Sequence, residues 1–105
     1  MSGVMVPDSK TAQKERLRSE IKKPSLYKVI MLNDNYTTME FVVDILKKIF
    51  RKNSSEANEI MLSIHKKGRG TAGIYTYDIA ATKKKQVHEE AAKSGFPLKC
   101  ILEKE

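Results

Sequence analysis

The chain has 105 residues, of which 40% are hydrophobic and 31% charged, and its net charge is +7. This length accommodates one domain with a core of its own, and the apolar runs are far shorter than the roughly 18 residues that span a bilayer. The N-terminus also lacks the hydrophobic block of a secretory signal, so we expect a cytoplasmic protein with no membrane partner.

The excess of positive charge is spread along the chain. Residues 1–24 contain six Lys or Arg against three acids, and residues 25–105 contain fourteen against ten. Nucleic-acid binding favours a concentrated basic patch, so a distributed excess supports it weakly.

The first 24 residues are polar and show no sustained apolar period. They end in Lys22, Lys23 and Pro24, and proline disfavours helix in the residue before it. We interpret residues 1–24 as a flexible arm and residues 25–105 as the folded core domain.

A largely buried strand is predicted from Leu26 to Leu32. Tyr27, Val29 and Ile30 are aromatic or β-branched, and such residues are enriched in strands.

Three short polar residues, Asn33, Asp34 and Asn35, follow this strand directly. Residue types alone favour a tight turn, in which such side chains bond their own backbone. The same acceptors also lie next to Met39 and Val42, which indicates a small site for a donor or cation beside a bulky apolar group. A free protein N-terminus with a large first residue fits that description.

The first helix is predicted to begin at Thr37. Thr37 and Glu40 match a capping box, in which the hydroxyl accepts the amide three residues on and the glutamate accepts the amide of Thr37. Apolar residues then recur at helical spacing and predict a stripe that faces the core: Met39, Val42, Val43, Leu46, Ile49 and Phe50.

A second helix is predicted to begin at Asn53, with Glu56 three residues later, and to end at Gly68. His65 falls on its last turn, where the helix dipole favours it. Four residues mark the buried side of this helix: Ala57, Ile60, Met61 and Ile64.

The rest of the chain predicts a strand over Thr71–Thr76, a helix from an Asp78 cap to about Lys93 with Gly95 as C-cap, and a last strand over Leu98–Leu102. Cys100 is expected to be a small core residue of that strand. The order βααβαβ predicts an α+β fold, with three helices packed on a small, mainly antiparallel three-stranded sheet.

The sequence gives little support for a catalytic site or a metal site. The chain has two histidines and one cysteine, and His65, His88 and Cys100 show no ligand-like spacing. The phosphate-loop pattern GxxxxGK[ST] is absent. Gly68, Gly70 and Gly73 have the spacing GxGxxG, but they follow a predicted helix and lead into a predicted strand, whereas a dinucleotide-binding loop follows a strand and opens a helix. We therefore expect neither an enzyme nor a metal or cofactor site.

A basic RNA-binding module is the main alternative from another class. It would use the segment KKGRG, the lysines Lys83–Lys85, and Tyr75 and Tyr77 as a stacking surface, although no RNP-like motif is present. Binding that falls steeply with ionic strength would distinguish it from a pocket-binding protein.

Four segments taken together, SLYKVIMLNDNYTTMEFVVDIL, EIMLSIH, TYDIAATK and PLKCILEKE, closely resemble the ClpS family. These bacterial adaptors hand N-degron substrates to the Clp AAA+ protease. The resemblance covers residues 25–105 in order, and it implies a monomeric adaptor whose pocket receives a first residue such as Leu, Phe, Tyr or Trp.

The resemblance also implies roles for individual residues. Asn33 and His65 match the positions that bond the α-amino group, Asp34 matches the first acid of the usual Asn-Asp-Asp, and Asn35 departs from the second. Met39 matches the methionine at the pocket mouth. The wall positions are matched by Leu32, Thr37, Val42, Met61, Ile64 and Leu98.

The segment TYDIAATK resembles the family surface that docks on the N-terminal domain of a ClpA-type unfoldase. Asp78, Thr82 and Lys83 stand in the matching positions. The arm over residues 1–24 aligns poorly, and the resemblance implies that it engages the unfoldase during hand-over, a role that needs length more than sequence.

Overall fold

A computed structural model describes residues 23–105, so the arm predicted for residues 1–24 lies outside the described residues except for its last two. The described elements follow the predicted order βααβαβ. They are β1 (Leu26–Leu32), α1 (Met39–Lys48), α2 (Ser54–Lys67), β2 (Arg69–Thr76), α3 (Tyr77–Ser94) and β3 (Lys99–Lys104).

The three strands form one sheet in the order β2-β1-β3, and both pairings are antiparallel. The central strand β1 pairs Val29 with Gly73 on one side and with Leu102 on the other. The β1–β2 register shifts between Val29 and Ile30, which leaves Ala72 without a partner. The predicted α+β fold with a small antiparallel sheet is confirmed.

The helices cover one face of this sheet. Val29 and Met31 alternate with Ile30 along β1, so they point to the same face, and both are fully buried in the main hydrophobic cluster. The helices contribute the following buried members of that cluster: Val42, Ile45 and Leu46 from α1, Ala57 and Ile64 from α2, and Ala80, Val87 and Ala91 from α3. Ile45 was not in the predicted stripe, whereas Met39 was, although it is 41% exposed.

The start of α1 differs from the prediction. Thr38, not Thr37, is the N-cap, and its hydroxyl accepts the amide of Phe41 at 3.1 Å. The predicted capping box is wrong because Asp34, and not Glu40, accepts the amide of Thr37.

The predicted limits of α2 are confirmed. Asn53 and Glu56 form a reciprocal capping box, with donor–acceptor distances of 2.8 and 3.1 Å. Gly68 ends the helix in the left-handed region at φ 88°, where a residue without a Cβ is favoured.

Helix α3 begins without a side-chain cap. Thr76 is its N-cap residue, and Asp78 lies in the first turn, where a carboxylate interacts with the helix dipole instead of capping an amide. The predicted Asp78 cap is therefore wrong, but Gly95 ends the helix in the left-handed region as predicted.

The outer strands extend beyond their predicted ends. β2 begins at Arg69 and β3 continues to Lys104, because the long central strand offers both of them backbone partners as far as Leu32 and Tyr27. Cys100 is buried within β3 as predicted, and burial raises the pKa of its thiol to about 12.

No helix among the described residues is both long enough and apolar enough to cross a membrane.

Candidate functional site

A depression of about 500 Å³ opens where the β1–α1 loop meets the C-terminal half of α2. Its lining combines a polar end from the loop with an apolar side from the two helices. The lining residues are Asn33, Asp34, Asn35, Tyr36, Thr37, Thr38, Met39, Glu40, Val42, Met61, Ile64 and His65.

The loop is built around the Asp34 carboxylate. Its Oδ1 accepts the amides of Tyr36 and Thr37 at 2.8 and 2.6 Å, and its Oδ2 accepts the Thr37 hydroxyl at 2.7 Å. The tight-turn interpretation is therefore correct for Asp34, whose side chain bonds the following backbone. Partial burial opposes ionisation of this carboxyl, but the three hydrogen bonds together outweigh it and lower its pKa.

The loop is also tied to the end of α2. The amide of Asn33 donates to the carbonyl of Gly68 at 3.0 Å, and His65 lies on the last turn of that helix. This bond fixes the start of the loop beside the histidine, although the two residues are far apart in the sequence.

Three polar side chains of the depression are exposed: Asn33, Asn35 and His65. None of them makes a side-chain hydrogen bond with another of the residues 23–105. An amide oxygen and an unprotonated imidazole nitrogen both accept hydrogen bonds, so these groups can receive an incoming donor.

The apolar side chains of the depression range from buried at its base to exposed at its edge. Val42 and Ile64 are 6% and 3% exposed and form its base, while Met39 is 41% exposed at its edge. Met61 is half-buried between them. A flexible thioether at the edge can adapt to apolar groups of different shape.

Nine of the eleven predicted substrate-binding residues line this depression, and two do not. Leu32 is half-buried at the end of β1, and Leu98 is buried in the core just before β3. The prediction omitted Tyr36, Thr38 and Glu40, which also line it. These three residues lie between predicted site residues in the same loop and helix start, and this proximity in sequence could have identified them.

The predicted partner-binding residues lie on α3, away from the depression. Asp78 and Thr82 are exposed, and the Thr82 hydroxyl donates to the Asp78 carbonyl at 2.9 Å. Lys83 is half-buried, and its Nζ donates to the carbonyl of Ile49 at 2.7 Å and lies 5.3 Å from the centre of the Tyr75 ring. Lys83 thus connects α3 to the end of α1.

Residues 23–105 contain no group of three or more side chains placed to hold a metal ion. The Nε2 atom of His88 accepts the amide of Cys100 at 2.9 Å. Burial, with the charges of Lys99 and Lys84, lowers the pKa of His88 and favours the neutral ring that this bond requires.

Comparisons with known proteins agree on one family. The family model described as ATP-dependent Clp protease adaptor protein ClpS matches residues 22–101. A relative from Lawsonia intracellularis with the name ATP-dependent Clp protease adapter protein ClpS is 54% identical over 87 residues, which cover 83% of this chain and 80% of the relative. A relative of the same name from Acetivibrio thermocellus is 50% identical over 96 residues, with 91% and 97% coverage.

A solved structure is also similar. It is that of Agrobacterium tumefaciens ClpS2 bound to L-phenylalaninamide, with a TM-score of 0.76 and 38% sequence identity. The match covers 79% of this chain and all of the other chain.

Proposed function

Since this chain belongs to the ClpS family of ATP-dependent Clp protease adaptor proteins, we propose that it binds polypeptides whose first residue is bulky and hydrophobic. In this proposal the first side chain enters the depression, and the α-ammonium group is held at its polar end. The adaptor then delivers the bound protein to a ClpA-type unfoldase.

The observation that carries the proposal is the pairing of two surfaces within one depression. Val42, Ile64 and Met61 offer an apolar base, and the exposed acceptors of Asn33 and His65 lie beside it. An α-ammonium group and its side chain are separated by one carbon atom, so a ligand of this shape contacts both surfaces at once.

The energies explain why a free chain end would be required. Burial of a Leu or Phe side chain contributes about 1.5 to 3 kcal/mol, whereas micromolar binding needs about 8 kcal/mol. Hydrogen bonds to a charged group add about 1.5 to 3 kcal/mol each. An internal leucine lacks the ammonium group and loses those contributions.

The ligand of the similar solved structure supports this interpretation. L-phenylalaninamide, with which the Agrobacterium protein was solved, has a free amino group and a benzyl side chain on one carbon. These are the two groups that the depression of the present chain is suited to accept.

Delivery would use a second surface, on α3. Asp78 and Thr82 are exposed there, on a helix that contributes nothing to the depression, so substrate and unfoldase could bind together. Lys83 belongs to the same matched segment, but its bond to Ile49 also gives it a role within the fold. We assign no catalytic step to this chain, and we expect it to act as a monomer in the cytoplasm.

The RNA-binding alternative is less well supported by the contacts of its basic residues. Arg69 of the KKGRG segment forms an ion pair with Glu103, and Lys83 is engaged by Ile49. Of its two tyrosines, Tyr75 is half-buried and Tyr77 is exposed.

Fluorescence anisotropy with labelled peptides tests the binding step. Peptides that begin with Leu or Phe should bind. The same peptides with Gly first lose the burial of the side chain, and those with an acetylated N-terminus lose the charged hydrogen bonds, so each should bind at least about tenfold more weakly. Equal binding of the free and acetylated peptides would contradict the proposal.

A pull-down with the N-terminal domain of a ClpA-type unfoldase tests the delivery step. Asp78→Ala should reduce capture of that domain and leave peptide affinity unchanged, whereas Glu89→Ala, a change at an exposed acid later on α3, should alter neither. Loss of peptide binding in Asp78→Ala would contradict separate surfaces.

A further inference from the structure

A second depression runs between α1 and α2 and shares a wall with the candidate site. This α1–α2 groove has a volume of about 430 Å³, and Met39, Glu40 and Met61 line both it and the first depression. Val43, Asp44 and Lys47 continue the groove along α1.

Glu40 is the charged group at the end of the groove where the two depressions meet. The sequence pattern placed its carboxylate in a capping box, but Asp34 accepts the amide of Thr37 in its place. Within residues 23–105, the Glu40 carboxylate makes neither a hydrogen bond nor an ion pair, and the residue is exposed.

The other charges of the groove are compensated or distant. Asp44 lies 3.4 Å from Lys48 and is therefore paired. Lys47 lies seven residues beyond Glu40, about two helical turns or roughly 10 Å along the axis. Near the shared wall, then, the groove presents an uncompensated negative charge on a protein whose net charge is positive.

We infer that the α1–α2 groove binds the residues that follow the first residue of the substrate, and that Glu40 selects for a lysine or arginine at the second position. This inference rests on the proposed function. A chain advances about 3.3 to 3.6 Å per residue when extended, so the residues after one seated in the depression reach the shared wall directly. The apolar floor of Met39, Val43 and Met61 suits the methylene stem of a long basic side chain, and Glu40 suits its charged end.

The test uses four peptides that differ only at the second residue, Leu-Lys, Leu-Arg, Leu-Gln and Leu-Glu, titrated against the full chain. The two basic peptides should bind about two- to fivefold more tightly than Leu-Gln, and Leu-Glu should bind more weakly by a similar factor, as expected for an exposed ion pair. These differences should shrink at high ionic strength, because salt screens exposed charges.

Three variants then assign the effect to Glu40. Glu40→Gln should remove the difference between basic and acidic peptides, and Glu40→Lys should reverse the preference. Glu59→Gln, the same charge change at an exposed residue of α2 that does not line the groove, should keep the original order.

The outcomes separate this inference from the proposed function. Peptides that bind according to their first residue, with no dependence on the second, would overturn the inference and leave the proposed function in place. An equal loss for all four peptides in Glu40→Gln would overturn it too, since Glu40 would then be acting on the α-ammonium group. Absence of binding to every Leu-initiated peptide would overturn the proposed function, and the inference with it.

Discussion

The Asp34 carboxylate is occupied by its own loop, and this limits what it can offer a ligand. Both of its oxygens accept hydrogen bonds from Tyr36 or Thr37, and these bonds lower its pKa and keep it ionised. Its charge lies near the depression, but its lone pairs are largely engaged. The neighbouring Asn35 is exposed and neutral, so no carboxylate of the Asn33–Asn35 segment is fully available to an ammonium group.

Asn35→Asp should therefore strengthen peptide binding. A carboxylate at this position would meet the α-ammonium group and should tighten binding of a Leu- or Phe-initiated peptide by about 0.5 to 1.5 kcal/mol, the scale of a hydrogen bond or a partly screened charge contact. Calorimetry with free and N-acetylated peptides measures this, and the gain should vanish for the acetylated peptide. Equal affinities before and after the substitution would show that position 35 does not face the ammonium group.

Met39 at the edge of the depression is expected to set the shape of the accepted side chain. Met39→Ala should admit β-branched first residues, because a long side chain at the edge excludes branching at Cβ. Affinity for Ile- and Val-initiated peptides should rise about tenfold, or about 1.4 kcal/mol, relative to Leu.

A panel of peptides that differ only in their first residue measures this change in selectivity. Leu62→Ala provides the matched control, because Leu62 is equally exposed, at 42%, and does not line the depression. An unchanged ranking in Met39→Ala would show that Met39 does not control access.

At the scale of elements, two side chains of α3 tie this helix to its neighbours. Lys83 reaches the carbonyl of Ile49 after α1, and His88 accepts the amide of Cys100 in β3. The amide of Cys100 belongs to a buried residue, and an unpaired buried amide costs about 1 to 3 kcal/mol. The His88 bond requires an unprotonated Nε2, so the attachment of α3 to β3 depends on pH.

Unfolding measured by denaturant between pH 8 and pH 5 should reveal this dependence. The pKa of His88 is lowered in the fold, so the unfolded chain binds the proton more readily. The stabilisation is therefore fully present above the unfolded pKa of about 6.5, and it is lost as the pH falls toward the folded value.

His88→Gln removes this titration but retains a side-chain acceptor, so the decline in stability over that range should flatten. His88→Ala should lower the free energy of unfolding by about 1 to 3 kcal/mol at pH 8, because the amide of Cys100 loses its partner. A wild-type slope that persists unchanged in His88→Gln would assign it to another group.

At the scale of the whole molecule, local signals predicted some features and not others. Asn53, Glu56 and Gly68 defined α2 correctly because the residues of a cap are close in sequence. The same pattern failed at Thr37, because Asp34 competes for the same amide. The hydrogen bond from the amide of Asn33 to the carbonyl of Gly68 joins segments that are distant in sequence, and so does the α1–α2 groove. Both depend on tertiary packing, which local sequence patterns do not reveal. The resemblance to a known family supplied most of the candidate site, since residue types alone favoured an ordinary turn.

The hydrophobic cluster of residues 23–105 includes side chains from all six described elements, and this leads to a prediction for the whole chain. The buried side chains Val29 and Met31 of β1 belong to this cluster together with residues of all three helices, and the strand is paired on both edges. Deletion of residues 1–20 should therefore change the free energy of unfolding by less than about 0.5 kcal/mol, or the melting temperature by less than about 4 °C. Peptide affinity should be unchanged, because the depression is lined by residues 33–65.

Delivery to the unfoldase should suffer in the same variant, since the family resemblance implies a role for the arm at that step. Degradation of a Leu-initiated reporter by the reconstituted protease measures delivery, and a chain with residues 1–20 scrambled at constant composition is the matched control. If the arm acts through its length rather than its sequence, the scrambled chain should deliver like the full chain and the deleted chain should not. Equal degradation with and without the arm would contradict its role in delivery. A large fall in the melting temperature of the deleted chain would show that the arm packs on the core and that the boundary at residue 24 is wrong.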